Sequence, residues 1–276
     1  VTTRRTRFGF TAVAAVVLAV VALPALSASA DTAASSHRQP KPTIVLVHGA
    51  WADGSSWNGV VERLQHDGYP VRVPPNPLRS LPTDSATIAS FLSTIAGPII
   101  LVGHSYGGAV ITNAATGNAA VKALVYVDAF APDQGETVLP LAGAGSALAV
   151  DPTTVFDFVG YPGAPAGDID LYLKQNVFLT SFASGVPTHT AMLLYATQRP
   201  FALSAGNEPS GVPAWKTIPS WYVLGTADAI ITPAQQQLMA QRAHATIVRV
   251  NAGHLSLVSQ PGAVTDVITT AARTTS

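Results

Sequence analysis

The sequence predicts an α/β protein: a mainly parallel sheet of six or more strands, flanked by helices and carrying a helical insertion near its middle. Three observations predict it. Short apolar runs alternate with helical stretches along the chain. Those runs are continuously apolar, as strands buried on both faces of a parallel sheet must be. The alternation breaks only over residues 131–215, a stretch too long for an ordinary loop.

The elements follow in order. Thr43–His48 is rich in β-branched residues and ends at Gly49, which marks a first buried strand. Ser55 or Ser56 is placed to cap a helix running to about His66, which Gly68 stops. Tyr69–Val73 reads as a strand closed by Pro74, Pro75 and Pro77. Asp84 is the expected cap of a helix through Ala96, and Pro98–Val102 the next strand. A glycine-rich turn leads to a helix over Tyr106–Thr116, then a strand over Ala123–Val127. The insertion holds three or four helical pieces, with Asp151-Pro152 and Asp168 as starts, and aromatic residues such as Phe156, Phe178 and Phe182. After it come a strand at Ser220–Gly225, a helix from Thr232-Pro233 to Arg242, a strand at Thr246–Val250 and a closing helix over Pro261–Ala272. Proline suits the first helical position, because its missing N–H has no partner there anyway.

The chemistry gathers at Gly103-His104-Ser105-Tyr106-Gly107, a G-x-S-x-G pattern between a predicted strand and a predicted helix. That context is what a nucleophile elbow requires, with the serine raised on a strained turn at the sheet's carboxyl edge. A serine hydroxyl needs a base. Of seven histidines, His254 lies just after the last strand, at that same edge. The base needs an acid to hold its tautomer. Asp228, after the fifth core strand, gives the chain order Ser105, Asp228, His254, and Asp128 at the end of the fourth strand is its rival. An oxyanion needs preorganised N–H donors. By position these are Tyr106, directly after the serine, and Ala50 in the loop His48-Gly49-Ala50-Trp51, with Trp51 and Phe130 as candidates for the substrate pocket.

These segments resemble the α/β-hydrolase superfamily, and more closely its branch of plant methyl esterases, hydroxynitrile lyases and bacterial esterase-like proteins. The resembling stretches are Val45–Trp51, Val102–Gly108, Asp128–Asp133, Gly225–Pro233 and Gly253-His254-Leu255. The resemblance implies an α/β-hydrolase core over residues 43–130 and 216–276, with residues 131–215 as a helical cap. It gives Ser105, Asp228 and His254 the places of a triad, and Ala50 and Tyr106 those of the oxyanion donors. Hydroxynitrile lyases carry a lysine directly after the catalytic histidine, and this chain has Leu255. Ser105 argues against the families of this fold that use an aspartate nucleophile.

Composition narrows the remaining readings. The chain has 276 residues, with 15 Lys and Arg against 15 Asp and Glu, and only 11% charged residues. A neutral, charge-poor chain lacks the basic footprint of a nucleic-acid binder. The absence of cysteine removes disulfide scaffolds, thiolate metal sites, cysteine nucleophiles and a lipoprotein anchor. No metal or cofactor motif appears, and no cofactor is expected. Arg4, Arg5 and Arg7 precede an apolar run from Phe8 to Leu23, and Ala28-Ser29-Ala30 follows. That is the three-part pattern of an export signal over residues 1–30, by the Sec or the Tat route, with a flexible leader over 31–42. No membrane anchor is expected once it is removed. The mature chain would keep 12 basic against 15 acidic residues.

The reading is therefore a secreted serine hydrolase for small to medium, apolar or aromatic carboxylic esters, lactones included. Two alternatives share the residues: cofactor-free perhydrolysis of the haloperoxidase type, and a small-ligand-binding protein of the same fold without turnover. Nothing in the sequence sets an oligomeric state or a dedicated protein partner.

Overall fold

The computed structural model describes residues 14–15 and 40–275. The export signal read over residues 1–30 falls almost wholly outside them, as does most of the leader.

Residues 40–275 are built on a six-stranded sheet in the order β2-β1-β3-β4-β8-β9, all parallel. The strands are β1 (Thr43–Val47), β2 (Val71–Arg72), β3 (Ile99–His104), β4 (Val121–Val127), β8 (Ser220–Gly225) and β9 (Thr246–Val250). Every residue of β3 and β8 is buried, which matches their unbroken apolar runs. β1 sits between β2 and β3. The chain runs out to one side of β1 and then crosses to the other, and such a reversal opens a crevice at the carboxyl ends of the strands.

Helices cover the sheet. Helix α1 (Asn58–His66) packs on the closing helix Pro261–Thr275, and α2 (Leu81–Leu92) packs on α3 (Tyr106–Ala114). Local chemistry moves some boundaries away from the sequence reading. The turn before α1 is capped by Asp53, whose Oδ1 accepts the Ser55 N–H at 2.8 Å, so neither Ser55 nor Ser56 is the cap. Asp84 does not cap α2 but lies inside its first turn, fully buried. There it accepts the Tyr106 hydroxyl at 2.9 Å and the Arg79 N–H, a tertiary use that a local pattern does not reveal. The strand read at Tyr69–Val73 shrinks to β2, because the prolines after it end the ladder. At the other end the reading holds: Thr232 caps the helix Pro233–Arg242 by accepting the Gln235 N–H at 3.3 Å.

The stretch between β4 and β8 carries helices, the longest Thr188–Ala196. It also carries a feature not read from the sequence, an antiparallel sheet of β5 (Phe156–Val159), β6 (Asp170–Leu173) and β7 (Phe201–Ala202). Asp151 does cap a short helix at Pro152. Asp168 starts no helix. Its carboxylate accepts the Ser204 N–H at 3.0 Å and the hydroxyls of Ser204 and Tyr161 at 2.7 Å each, which ties the strand entry to the later part of the segment. Strands of two to four residues lie below the length at which periodicity separates strand from helix. Among the described residues no helix is long and apolar enough to cross a membrane.

Candidate active site

Ser105 follows β3 directly and holds φ 52° and ψ −124°, a conformation unfavourable for a residue with a side chain. The turn exists because its flanking glycines admit backbone where a Cβ would not fit. A Cβ on Gly103 would lie 2.5 Å from the Gly107 carbonyl oxygen, and one on Gly107 would lie 2.5 Å from the Val47 carbonyl oxygen. β3, α3 and β1 are thereby drawn together under the serine.

His254 reaches Ser105 from the loop after β9. Its Nε2 lies 2.9 Å from Ser105 Oγ, and its Nδ1 lies 2.8 Å from Asp228 Oδ2. All three side chains are buried. The structure thus brings together the serine, the histidine and the aspartate named from the sequence. Asp228 is held by more than His254. Its Oδ1 accepts the N–H groups of Ile230 and Ile231 at 2.7 and 3.0 Å, and its Oδ2 accepts Gln236 Nε2 at 2.7 Å. Four donors around one carboxylate fix its orientation.

Asp128, the rival acid, is also fully buried, but the structure turns it away from this relay. Its Oδ2 accepts the Ser256 N–H at 3.2 Å, and its Oδ1 has no hydrogen-bond partner among the described residues. Burial pushes its carboxyl well above the usual range, and the neighbouring Asp228 charge pushes the same way. A carboxyl whose charged form is disfavoured is a poorer partner for an imidazolium.

Ala50 and Tyr106 lie beside Ser105 on the wall of one small cavity. Tyr106 opens α3, so its N–H has no acceptor four residues back and sits at the positive end of the helix. The loop carrying Ala50 is pinned by His48. Asn76 donates its N–H to His48 Nε2 at 3.0 Å, so the proton belongs on Nδ1, which faces the Gly49 carbonyl at 3.0 Å. Burial lowers the His48 pKa, which suits this neutral ring. Trp51 and Phe130 line the same cavity.

Several residues that shape the site carried no sequence signal strong enough to single them out. His104 donates its Nε2 hydrogen to the His254 carbonyl at 2.9 Å, so the residue before the serine holds the backbone of the base. Burial drives the His104 pKa well down, with the His254 ring adding to it. Phe182 covers the His254 ring, centroid to centroid 5.2 Å. Gln236 had a usable clue: the Thr232-Pro233 start fixes it near the beginning of the helix, facing the turn that carries Asp228. Among the described residues no group of three or more acidic or histidine side chains is placed to hold a metal.

The chain matches the profile of the alpha/beta hydrolase family over residues 44–267. A carbendazim-hydrolysing esterase of Nocardioides sp. is 32% identical over 146 residues, a match covering 48% of this chain and 59% of that protein. Two solved structures share the fold. Polyneuridine aldehyde esterase superposes with a TM-score of 0.71 at 17% identity, over 83% of this chain and 98% of the other. A methylesterase protein from Arabidopsis gives 0.69 at 18% identity, over 84% and 99%. The fold expected from the resemblance is the fold observed, and the plant methylesterases are among its structural neighbours. With its elbow between β3 and α3 and its profile match reaching every strand of the core sheet, this chain belongs to the alpha/beta hydrolase family.

Proposed function

We propose that the protein is an exported serine hydrolase that cleaves small to medium, apolar or aromatic carboxylic esters, lactones included. The observation that carries this reading is the unbroken relay from Ser105 Oγ through His254 to Asp228, at 2.9 and 2.8 Å, on a strained serine turn. His254 Nε2 takes the Ser105 proton while Oγ bonds to the ester carbon. The carbonyl electrons move onto oxygen, and the N–H groups of Ala50 and Tyr106 receive that charge. Asp228 stabilises the imidazolium and keeps the His254 proton on Nδ1. When the carbon–oxygen bond breaks, His254 gives its Nε2 proton to the departing alcohol. Water then repeats the sequence on the acyl-serine and releases the acid.

The walls around Ser105 are apolar: Phe130, Val138, Leu139 and Ile230 face the same space. Tyr106, the polar exception by residue type, has its hydroxyl committed to Asp84. An uncharged, apolar acyl group fits such walls, and a second carboxylate would be left without a partner. Export rests on the pattern of residues 1–30, and an N-terminus at Asp31 in the secreted protein would test it.

The decisive experiment is labelling with a fluorophosphonate, mapped by peptide mass. Modification at Ser105, with turnover of short-chain nitrophenyl esters that disappears in Ser105→Ala, is the expected result. Equal turnover by the two proteins would refute the mechanism.

A further inference from the structure

Trp51 follows Ala50 and holds φ 55°, an uncommon backbone for a bulky residue. Its indole is 3% exposed and lies between the core and the segment over it. Its Nε1–H donates to the Leu171 carbonyl of β6 at 2.9 Å. The ring stacks on Phe156 at 5.7 Å and meets Phe201 and Phe182 edge-on at 5.6 and 5.9 Å. A hydrogen bond and three aromatic contacts over-determine its position.

Trp51 also borders two separate cavities. One contains Ser105 and is closed by Phe130, Val138, Leu148 and Ile230. The other is lined by Asp53 and Ser56 on one side and by Phe178, Phe182, Thr197 and Leu255 on the other, and does not include the serine. Each leaves about 10 Å³ to the centre of a water molecule, room for about one water. The second cavity lies behind the base: Leu255 is the next residue after His254, and Phe182 covers its ring.

We propose that Trp51 is the partition between an acyl chamber and a leaving-alcohol chamber, and so sets the size of ester that this site accepts. The assignment rests on the esterase reading. During acylation the carbonyl oxygen must face the Ala50 and Tyr106 N–H groups, and the leaving oxygen must face His254 Nε2, which protonates it. The acyl group then remains on the Ser105 side. The alcohol passes the imidazole toward Leu255, Phe182 and Thr197. Between the two stands the indole, and its tether to Leu171 links the partition to β6.

Two ester series test the assignment: acetates of ethanol, benzyl alcohol and naphthylmethanol, and ethyl esters of acetic, benzoic and naphthoic acids. Trp51→Ala joins the chambers. It is expected to raise kcat/KM for the largest member of each series, relative to the smallest, by about tenfold or more, the scale of a few methylene-sized contacts. Leu148→Phe narrows the Ser105 side and should penalise the large acids alone. Thr197→Phe narrows the other side from an exposed position and should penalise the large alcohols alone. These two variants keep the test sharp if Trp51→Ala fails to fold. Ratios within twofold of the wild type in Trp51→Ala, or equal effects of Leu148→Phe and Thr197→Phe on both series, would overturn the partition. Fluorophosphonate labelling separates the two failures. Unlabelled Ser105 in the wild type removes the esterase reading and the partition with it, and labelled Ser105 with unchanged ratios removes the partition alone.

Discussion

Gln236 donates its Nε2 hydrogen to Asp228 Oδ2 at 2.7 Å, the same oxygen that His254 Nδ1 meets at 2.8 Å. One carboxylate oxygen therefore serves both the base and a helix-borne amide. Gln236 also donates to the Ile231 carbonyl at 2.9 Å, so it holds the turn as well as its charge.

Gln236→Leu should leave KM within about twofold and lower kcat by roughly 10- to 100-fold, since a hydrogen bond to a charged group contributes about 1.5–3 kcal/mol. Gln236→Glu should do more damage, because it sets a second carboxylate against Asp228. Steady-state kinetics on a nitrophenyl ester checks both. Full activity in Gln236→Leu would show that the two backbone N–H groups on Oδ1 suffice.

The two aspartates should separate cleanly. Asp228→Asn removes the partner of the imidazolium and should cost about 1000-fold or more in kcat. Asp128→Asn should stay within about threefold, because burial already disfavours the charged form of Asp128 and the amide is close in shape. The sign of its pH effect follows from the raised pKa. The folded chain keeps a proton that the unfolded chain loses above the ordinary carboxylate value, so this group's stabilising share is complete below that value and fades as pH rises. The melting temperature of Asp128→Asn relative to the wild type should therefore increase from pH 5 to pH 9.

The histidines work in the opposite direction. His104 and His48 are held neutral by burial, His104 most strongly. Their folded values lie below the unfolded one of about 6.5, so the stability they contribute is present above that pH and is lost as pH falls through the folded value. Between the unfolded and the folded value, each pH unit costs about 1.4 kcal/mol per histidine that stays neutral. Melting curves from pH 7 to pH 5 should fall, and His104→Gln should flatten the fall.

Gly107→Ala should destabilise by about 1–3 kcal/mol or more, because the new methyl would sit 2.5 Å from the Val47 carbonyl oxygen. Thermal unfolding checks the loss, and fluorophosphonate labelling of the surviving folded fraction should slow, since the serine turn cannot stay where it is.

Much of this was readable in advance, for identifiable reasons. The strand at Ser220–Gly225 has the bounds expected because Pro219 precedes it and Gly225 ends an unbroken buried run, and Thr246–Val250 also has the bounds expected although Arg249 interrupts its apolar run. The elbow was readable because steric demand leaves few choices around Ser105. Asp84 was misread because an acid before an apolar stretch looks like a cap, while its partner Tyr106 lies 22 positions on. The sheet of β5, β6 and β7 was missed because its strands are short and β5 is mostly exposed, which erases the apolar run. The choice between Asp228 and Asp128 needed three dimensions: both end core strands at one edge, and only packing decides which faces the base.

The distance along the chain between Ser105 and His254 is 149 residues, and the loop holding His254 follows β9, which pairs with β8 at the rim of the sheet. A growing polypeptide can thus present its elbow long before it owns a base. Ribosomes release the serine early and the imidazole late, so a chain cut short before Gly253 would lack the proposed base however well its earlier strands assembled. The proposed relay is therefore complete only once β9 has docked at the rim of the sheet.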